Sequence, residues 1–408
     1  MTRLPSRAGD SSGTEGPAPT RTVGLVQASN EWPLLALSIS HALMYHVDEV
    51  YLLNHSSTDG TYEGTKRLQQ LWPGRLHVVE YHDNHFWQEA CLSALIEVSQ
   101  RSSPEWIYVF DADEFMIVQR GRSLREILRE VDPDYSVVRY QVQNWVSTED
   151  FDEGDLDCYR MLRYRSMPNR SISLPYEARA DAIRNGEVSF YDLAFMSKVI
   201  FRNMEGLWVA AGTHALKAPS SVPVLELQSD VLRVVHLPLI SRGRLDGKAR
   251  TGQLKVQDHF PAWHGWQNQM MWKLSQEGRL DDFWQNHSIT ARDKSESSRP
   301  TRFVLDDGFV NAIEPVLRLL EDGFGSRVLQ RGATHDSSLP GPVDSQIPFG
   351  TAVHACRKLQ LIADSGQAAQ LQLSCVYASS AWRISAPLRL VGRAWWGARR
   401  RWAYRGRH

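Results

Sequence analysis

From Thr22 onward the chain alternates between two hydrophobic periods, and few folds are open to a chain that does so. The short apolar run TVGLVQA precedes EWPLLALSISHALMYH at helical length; EVYLLNH precedes DGTYEGTKRLQQLW, RLHVVEYH precedes FWQEACLSALIEVSQR, and WIYVFDADEF precedes SLREILREV. Four β-α steps in a row predict an α/β fold, a mostly parallel sheet with flanking helices on both faces. Pro33 near the start of the first helix and Asp59 at the opening of the second suit helix N-termini. After Asp132 the alternation loosens into a strand, YSVVRYQVQNW, and an irregular stretch holding Asp150, Asp152, Asp155 and Asp157 that would shape an acceptor site.

Further strands are predicted at SKVIFRN (197–203), GLWVAAGTHAL (206–216) and DVLRVVHLPLI (230–240), before helices take over through HFPAWHGWQNQMMWKLS. Residues 331–348 are rich in Gly, Pro and Ser without periodicity and predict a linker. The expected division is a disordered leader over 1–21 and an α/β domain over 22–260, whose halves meet at 135/136. A mainly helical extension over 261–330, the linker, and a helical C-terminal segment with a basic, Trp-rich tail over 349–408 follow. The chain has no internal repeat.

Composition narrows function mostly by exclusion. The 408 residues suffice for one large domain or two smaller ones, and 42% hydrophobic and 23% charged residues at a net charge of −1 mark neither a nucleic-acid binder nor a disordered chain. Cys91, Cys158, Cys356 and Cys375 are far apart and form no C-x-x-C pair, which argues against a zinc ribbon, a redox motif or a disulfide framework and fits a reducing cytoplasm. The leader lacks the apolar core of a signal peptide. No run approaches the roughly 18 apolar residues of a membrane span.

In open sheets of this kind ligands bind beyond the carboxyl ends of the strands. Polar clusters fall at three such ends, ASNE (28–31), NHSSTDGT (54–61) and DADEF (111–115), and are expected to share one crevice. Buried unpaired carboxylates are costly, so Asp111, Asp113 and Glu114 at a strand end require a cation, a row of donors or solvent. Mg²⁺ or Mn²⁺ suits such hard oxygen ligands, completes its shell with substrate phosphates and neutralises a departing diphosphate. The plainer reading makes Asp111 and Asp113 turn and cap residues of a surface loop.

VQASNEWPLL, VYLLNHSSTDGT and WIYVFDADEF together resemble the nucleotide-sugar half of family 2-like glycosyltransferases with the Rossmann-like GT-A fold, and within them the bacterial subgroup whose signature is D-x-D-E-F. SKVIFRN, GTHAL and HLPLISRGRLDGKARTG resemble later elements of that subgroup, so the likeness covers about residues 22–260. It implies a nucleotide-diphosphate sugar donor, a divalent cation and an acceptor hydroxyl. Asn30 and Glu31 would lie near base and ribose, with Asn54 and Asp59 bordering the nucleotide pocket. Many relatives carry Asp where this chain has Asn54, which leaves the base preference open.

The resemblance places Asp111 on the ribose or the metal and favours Asp113 as the direct metal ligand. Glu114 would act at the catalytic centre by positioning its neighbours, or serve only as an outer acceptor. His236 would complete the metal or diphosphate site, unless it is a core histidine. Arg242 and Lys248 would hold the leaving diphosphate, unless solvated. His214, after Gly212, would reach the acceptor as a catalytic residue; a structural role is the alternative, and Lys198 and Arg202 stand equally open. A general base cannot be singled out among Glu177, Asp181, Asp192 and Glu205, and an inverting outcome rests on the resemblance alone.

The tail interleaves Trp382, Trp395, Trp396 and Trp402 with arginines and contains no acid. Indole rings at headgroup depth beside guanidinium groups suit an anionic membrane surface. Nucleic-acid binding by charge and stacking is the competing reading, and a frayed basic tail a third. SAWRISAPLR resembles a tail element of bacterial envelope-polysaccharide proteins, which favours the membrane. The expected enzyme is thus cytoplasmic and peripheral on the inner face of the plasma membrane, with a lipid-linked or polysaccharide acceptor. Two rivals share features with it. A sugar nucleotidyltransferase needs a Gly-rich basic loop that VGLVQASNEWP lacks, and a non-catalytic binding protein has no use for acids in all three clusters.

Overall fold

A computed structural model describes residues 20–364 except 84, 86, 148–151, 169–173, 175, 205–207, 218–221, 261–263, 288–302 and 326–342. Most of the expected leader and all of the Trp/Arg tail therefore lie outside the described residues.

The first half follows the sequence closely. Strands β1 (Thr22–Ala28), β2 (Glu49–His55), β3 (Leu76–Tyr81) and β4 (Trp106–Val109) alternate with helices α1 (Leu34–Tyr45), α2 (Thr61–Leu71) and α3 (Gln88–Ser99). They pair in parallel in the order β4-β1-β2-β3. Side chains alternate across such a sheet. Val26, Leu52 and Tyr108 enter one apolar layer, while Leu25, Leu53 and Val109 enter the other. Burial on both faces is why these strands read as unbroken apolar runs. The chain leaves β1 towards β2 on one side and reaches β4 on the other, so a crevice opens at their carboxyl ends.

The second half is a mixed continuation of the same sheet. The carboxylate run interrupts the expected fourth step. After Phe110 the backbone turns, with the Glu114 N–H donating to the Asp111 carbonyl at 3.0 Å, and β5 (Glu114–Val118) starts a new strand before α4 (Leu124–Glu130). Then follow β6 (Val137–Val146), α5 (Leu156–Tyr159), β7 (Tyr164–Ser166), α6 (Tyr176–Arg184) and β8 (Lys198–Arg202). β8 runs antiparallel between β4 and β6. Residues 206–216, read above as one strand, instead contain a small hairpin of β9 (Trp208–Val209) and β10 (Leu216–Lys217), because Gly212 and Thr213 turn the backbone at φ 69° and 59°. β11 (Val224–Glu226) and β12 (Leu232–His236) run parallel to β6, and β12 also pairs antiparallel with β5.

Helices α7 (Arg242–Gln257), α8 (Trp266–Gln276) and α9 (Leu280–His287) precede β13 (Phe303–Leu305), which pairs with β7, and α10 (Gly308–Phe324). Phe309, Ile313, Val316, Leu317 and Leu320 of α10 belong to the same core layer as α1. α11 (Val343–Asp364), which begins inside the stretch expected as linker, sets Phe349, Val353 and Cys356 into the layer of α3. Among the described residues no helix is long and apolar enough to cross a membrane.

Candidate active site

At the end of β1, Asn30 adopts φ 59° and binds the loop after β2. Its Oδ1 accepts from the backbone N–H groups of Thr58 at 2.7 Å and Asp59 at 3.1 Å, and its own N–H donates to Ser57 Oγ at 3.0 Å. Asp59 in turn accepts from the Thr61 N–H at 2.9 Å, fixing the first turn of α2. Of these residues Asn30 lines the cavity and Asp59 does not. Asn54 does not line it either: it is buried between strands and donates to Glu80 Oε2 at 2.8 Å.

The acidic turn stands opposite β8, β12 and α7. Lys198 Nζ, 3% exposed, lies 2.8 Å from Asp111 Oδ2 and 2.9 Å from Glu114 Oε1. Asp113 Oδ2 faces Lys248 Nζ at 3.2 Å and His236 Nε2 at 3.6 Å. Arg244, also buried, pairs with Glu31 and reaches Glu153 Oε2 at 3.4 Å. The carboxylates are thus matched by lysines. Burial works against the Asp113 charge, but Lys248, His236 and Arg244 outweigh it and hold the carboxyl well below its ordinary range. For Glu114, burial dominates over Lys198 and raises the pKa. Burial also opposes the charge of Lys198, yet Asp111 and Glu114 leave it raised.

A cavity of about 1020 Å³ joins these groups, lined among others by Asn30, Glu31, Asp111, Asp113, Glu114, Lys198, His214, His236 and Lys248. His214 Nδ1 bonds the Ser197 carbonyl at 3.0 Å, which in the neutral ring makes Nδ1 the donor and leaves Nε2 as acceptor. Burial, then Lys198, lowers its pKa to about 4. Arg242 does not reach the cavity, because its guanidinium is held by Asp281 and Asp246. Arg202 pairs with Glu105 at 2.7 Å, away from the cavity. Asp181 and Asp192 do not line it either: Asp181 pairs with Arg184 and Asp192 caps Ser189. Glu205 and the Glu177 side chain lie outside the described residues.

Sequence reasoning missed Arg244 and Lys255. A signal was present: Arg244, Lys248 and Lys255 are spaced four and seven apart, one face of a helix, whereas Arg242 and Lys248 are six apart and face different ways. All three of the former line the cavity from α7.

A divalent cation fits part of this arrangement. His236 Nδ1 bonds Asn144 Oδ1 at 2.8 Å, which orients the ring with Nε2 3.6 Å from Asp113 Oδ2, the arrangement that an outer partner gives a metal-binding histidine. Among the described residues no three His, Cys, Asp or Glu side chains are grouped to hold an ion. Asp113 and His236 would supply two donors, and substrate phosphates and water would complete the shell.

No curated protein matches the chain. Among solved structures, S. aureus TarS is similar over 83% of this chain and 53% of its own, at 10% identity and a TM-score of 0.32. The chain thus spans about half the length of that protein. Its 1–349 portion in complex with UDP-GlcNAc matches over 83% and 87% of the two chains at 10% identity and a TM-score of 0.28. A CMP:2-keto-3-deoxy-manno-octonic acid synthetase complexed with CTP covers 45% of this chain and 74% of its own at 14% identity and a TM-score of 0.22. Likenesses this distant carry no argument about the site. The model of the family described as Glycosyl transferase family 2 matches residues 25–191, the span that runs from within β1 through α6 and includes the acidic turn. Residues 25–191 thus match a glycosyltransferase family 2 domain, in a chain whose mixed α/β sheet with flanking helices is consistent with the GT-A architecture.

Proposed function

We propose that this chain transfers a glycosyl group from a nucleotide-diphosphate sugar to an acceptor hydroxyl, as a metal-dependent, inverting enzyme of the D-x-D-E-F subgroup. The acceptor is a lipid-linked or envelope polysaccharide intermediate at the inner face of the plasma membrane, where the tail docks. One observation supports the reading above all others: an acidic turn beyond a parallel strand, flanked by Lys198, Lys248 and His236, at the mouth of a cavity large enough for a nucleotide sugar.

In this reading Asp113 and His236 would hold Mg²⁺ or Mn²⁺, which would supply positive charge for the departing diphosphate. Lys248 adds a second positive group beside the same oxygens. Glu114 positions Lys198, and Lys198 restrains Asp111 for contact with the ribose. As the anomeric carbon–oxygen bond breaks and the acceptor oxygen attacks, His214 Nε2, left as the acceptor nitrogen by the bond of Nδ1 to the Ser197 carbonyl, accepts the acceptor proton.

The test is release of nucleoside diphosphate from a panel of nucleotide sugars, UDP-GlcNAc included, with Mn²⁺ present. The reading expects turnover with at least one donor, lowered by about 10²-fold in Asp113→Asn. Binding of donors without any release would favour a non-catalytic binding protein.

A further inference from the structure

One carboxylate oxygen carries two neighbours that compete for it. Asp113 Oδ2 faces Lys248 Nζ at 3.2 Å and His236 Nε2 at 3.6 Å. A dication taken up by Asp113 and His236 would have to share that oxygen with an ammonium, and like charges repel strongly at such range. The two lysines of the acidic turn differ in their freedom to yield. Lys198 is 3% exposed and lies between Asp111 and Glu114, at 2.8 and 2.9 Å, so burial and two acids hold it. The Lys248 side chain is 24% exposed, lines the cavity from α7 and has Asp113 as its one ion-pair partner among the described residues. An ammonium on a flexible four-carbon stem can leave such a contact while its helix stays in place. Lys248 is also the foremost of the positive groups acting on Asp113, ahead of His236 and Arg244. Arg244, 2% exposed, is held by Glu31 and Glu153. Of the other lining cations, Arg179 Nε donates to the Leu174 carbonyl at 3.1 Å and Arg250 is exposed. Lys255 is buried against Gly265, within the field of Asp111 and Lys248. None of these three is an ion-pair partner of Asp113.

Resting on the metal-dependent glycosyltransfer reading above, we propose that Lys248 is an exchangeable counterion: it neutralises Asp113, yields Oδ2 to a dication, and then turns its ammonium to the donor diphosphate. The exchange couples the two ligands. Without nucleotide, a dication has to compete with Lys248 for Asp113. Diphosphate oxygens give the released ammonium a new partner, so cation and nucleotide each raise the affinity of the other by the same factor. A lysine that only braced α7 would change both affinities in one direction.

The experiment measures two affinities of the full chain. Mn²⁺ binding without nucleotide is read by paramagnetic resonance, and binding of UDP, GDP, ADP or CDP, whichever the wild type takes up, is read by calorimetry at saturating Mn²⁺. Lys248→Met is expected to bind Mn²⁺ alone about tenfold more tightly and the nucleotide about tenfold more weakly. Lys273→Met, on the exposed side of α8, should change neither. Should Lys248→Met fail to fold, Lys248→Gln is expected to give the same two opposite signs. Mn²⁺ affinity that is unchanged or lowered in the Lys248 variants, or nucleotide affinity that is unchanged or raised, overturns the exchange. Nucleotide release from the donor panel is followed in the same preparations, and its absence from wild-type protein contradicts the glycosyltransfer reading instead.

Discussion

Asp111 and Asp113 are separated by one residue yet answer to different cations, Lys198 and Lys248, and the difference sets what each substitution does. Asn144 lies outside the cavity lining and acts only through His236 Nδ1. Asn144→Ala removes that acceptor, and Mn²⁺ affinity in the presence of nucleoside diphosphate, read by paramagnetic resonance, is expected to fall about 10- to 100-fold. Unchanged affinity would remove His236 from the metal site. Arg244→Met leaves Glu31 and Glu153 without their shared cation, and denaturant unfolding should show a loss of about 3–5 kcal/mol. The acids themselves were legible in the sequence because a hydrophobic strand cannot end on them idly. Their lysine partners were less so: Lys198 arrives from a strand 87 positions away, and spacing in the chain says nothing of that meeting.

Helix α7 carries most of the cations that line the cavity, and its stability records the cost of holding one of them. Burial lowers the pKa of Lys255 from 10.5 to about 8. Between those values the unfolded chain binds more protons than the folded one. The destabilisation is therefore in full force below about pH 8 and relaxes as pH rises towards 10.5. Lys255→Met should raise stability at pH 7 by up to about 3 kcal/mol, with the gain shrinking as thermal melts are taken to higher pH. A pH-independent gain would mean that packing, not charge, is responsible. α7 also meets α8 closely: a Cβ at Gly252 would stand 1.9 Å from the Asn268 carbonyl oxygen. Gly252→Ala should force the helices apart and cost about 1–3 kcal/mol by overpacking. The periodicity of α1 to α3 was readable because each packs against a doubly buried sheet. The 206–216 segment was not, since apolar residues at strand spacing do not announce that the backbone at Gly212 and Thr213 turns with positive φ.

For the molecule as a whole, the expected boundary at residue 260 divides the sequence more sharply than it divides the core. Phe309, Ile313, Val316 and Leu317 complete the layer over α1, and β13 extends the sheet through β7. Ile313→Ala should cost about 2–5 kcal/mol and lower the single unfolding transition rather than a separate one. A melt that left the main transition untouched would make α10 an independent unit. Sequence spacing signalled helices after 260 but not their partners, because an amphipathic helix shows only that it has an apolar face to cover. The central claim is that the acidic turn grips a diphosphate through a divalent cation. Its most direct measurement is the affinity for a panel of nucleoside diphosphates, with Mn²⁺ and with EDTA, in wild-type protein and Asp113→Asn. The account predicts tight binding of at least one nucleotide only where Mn²⁺ and Asp113 are both present. Equal affinity in all four conditions would contradict it.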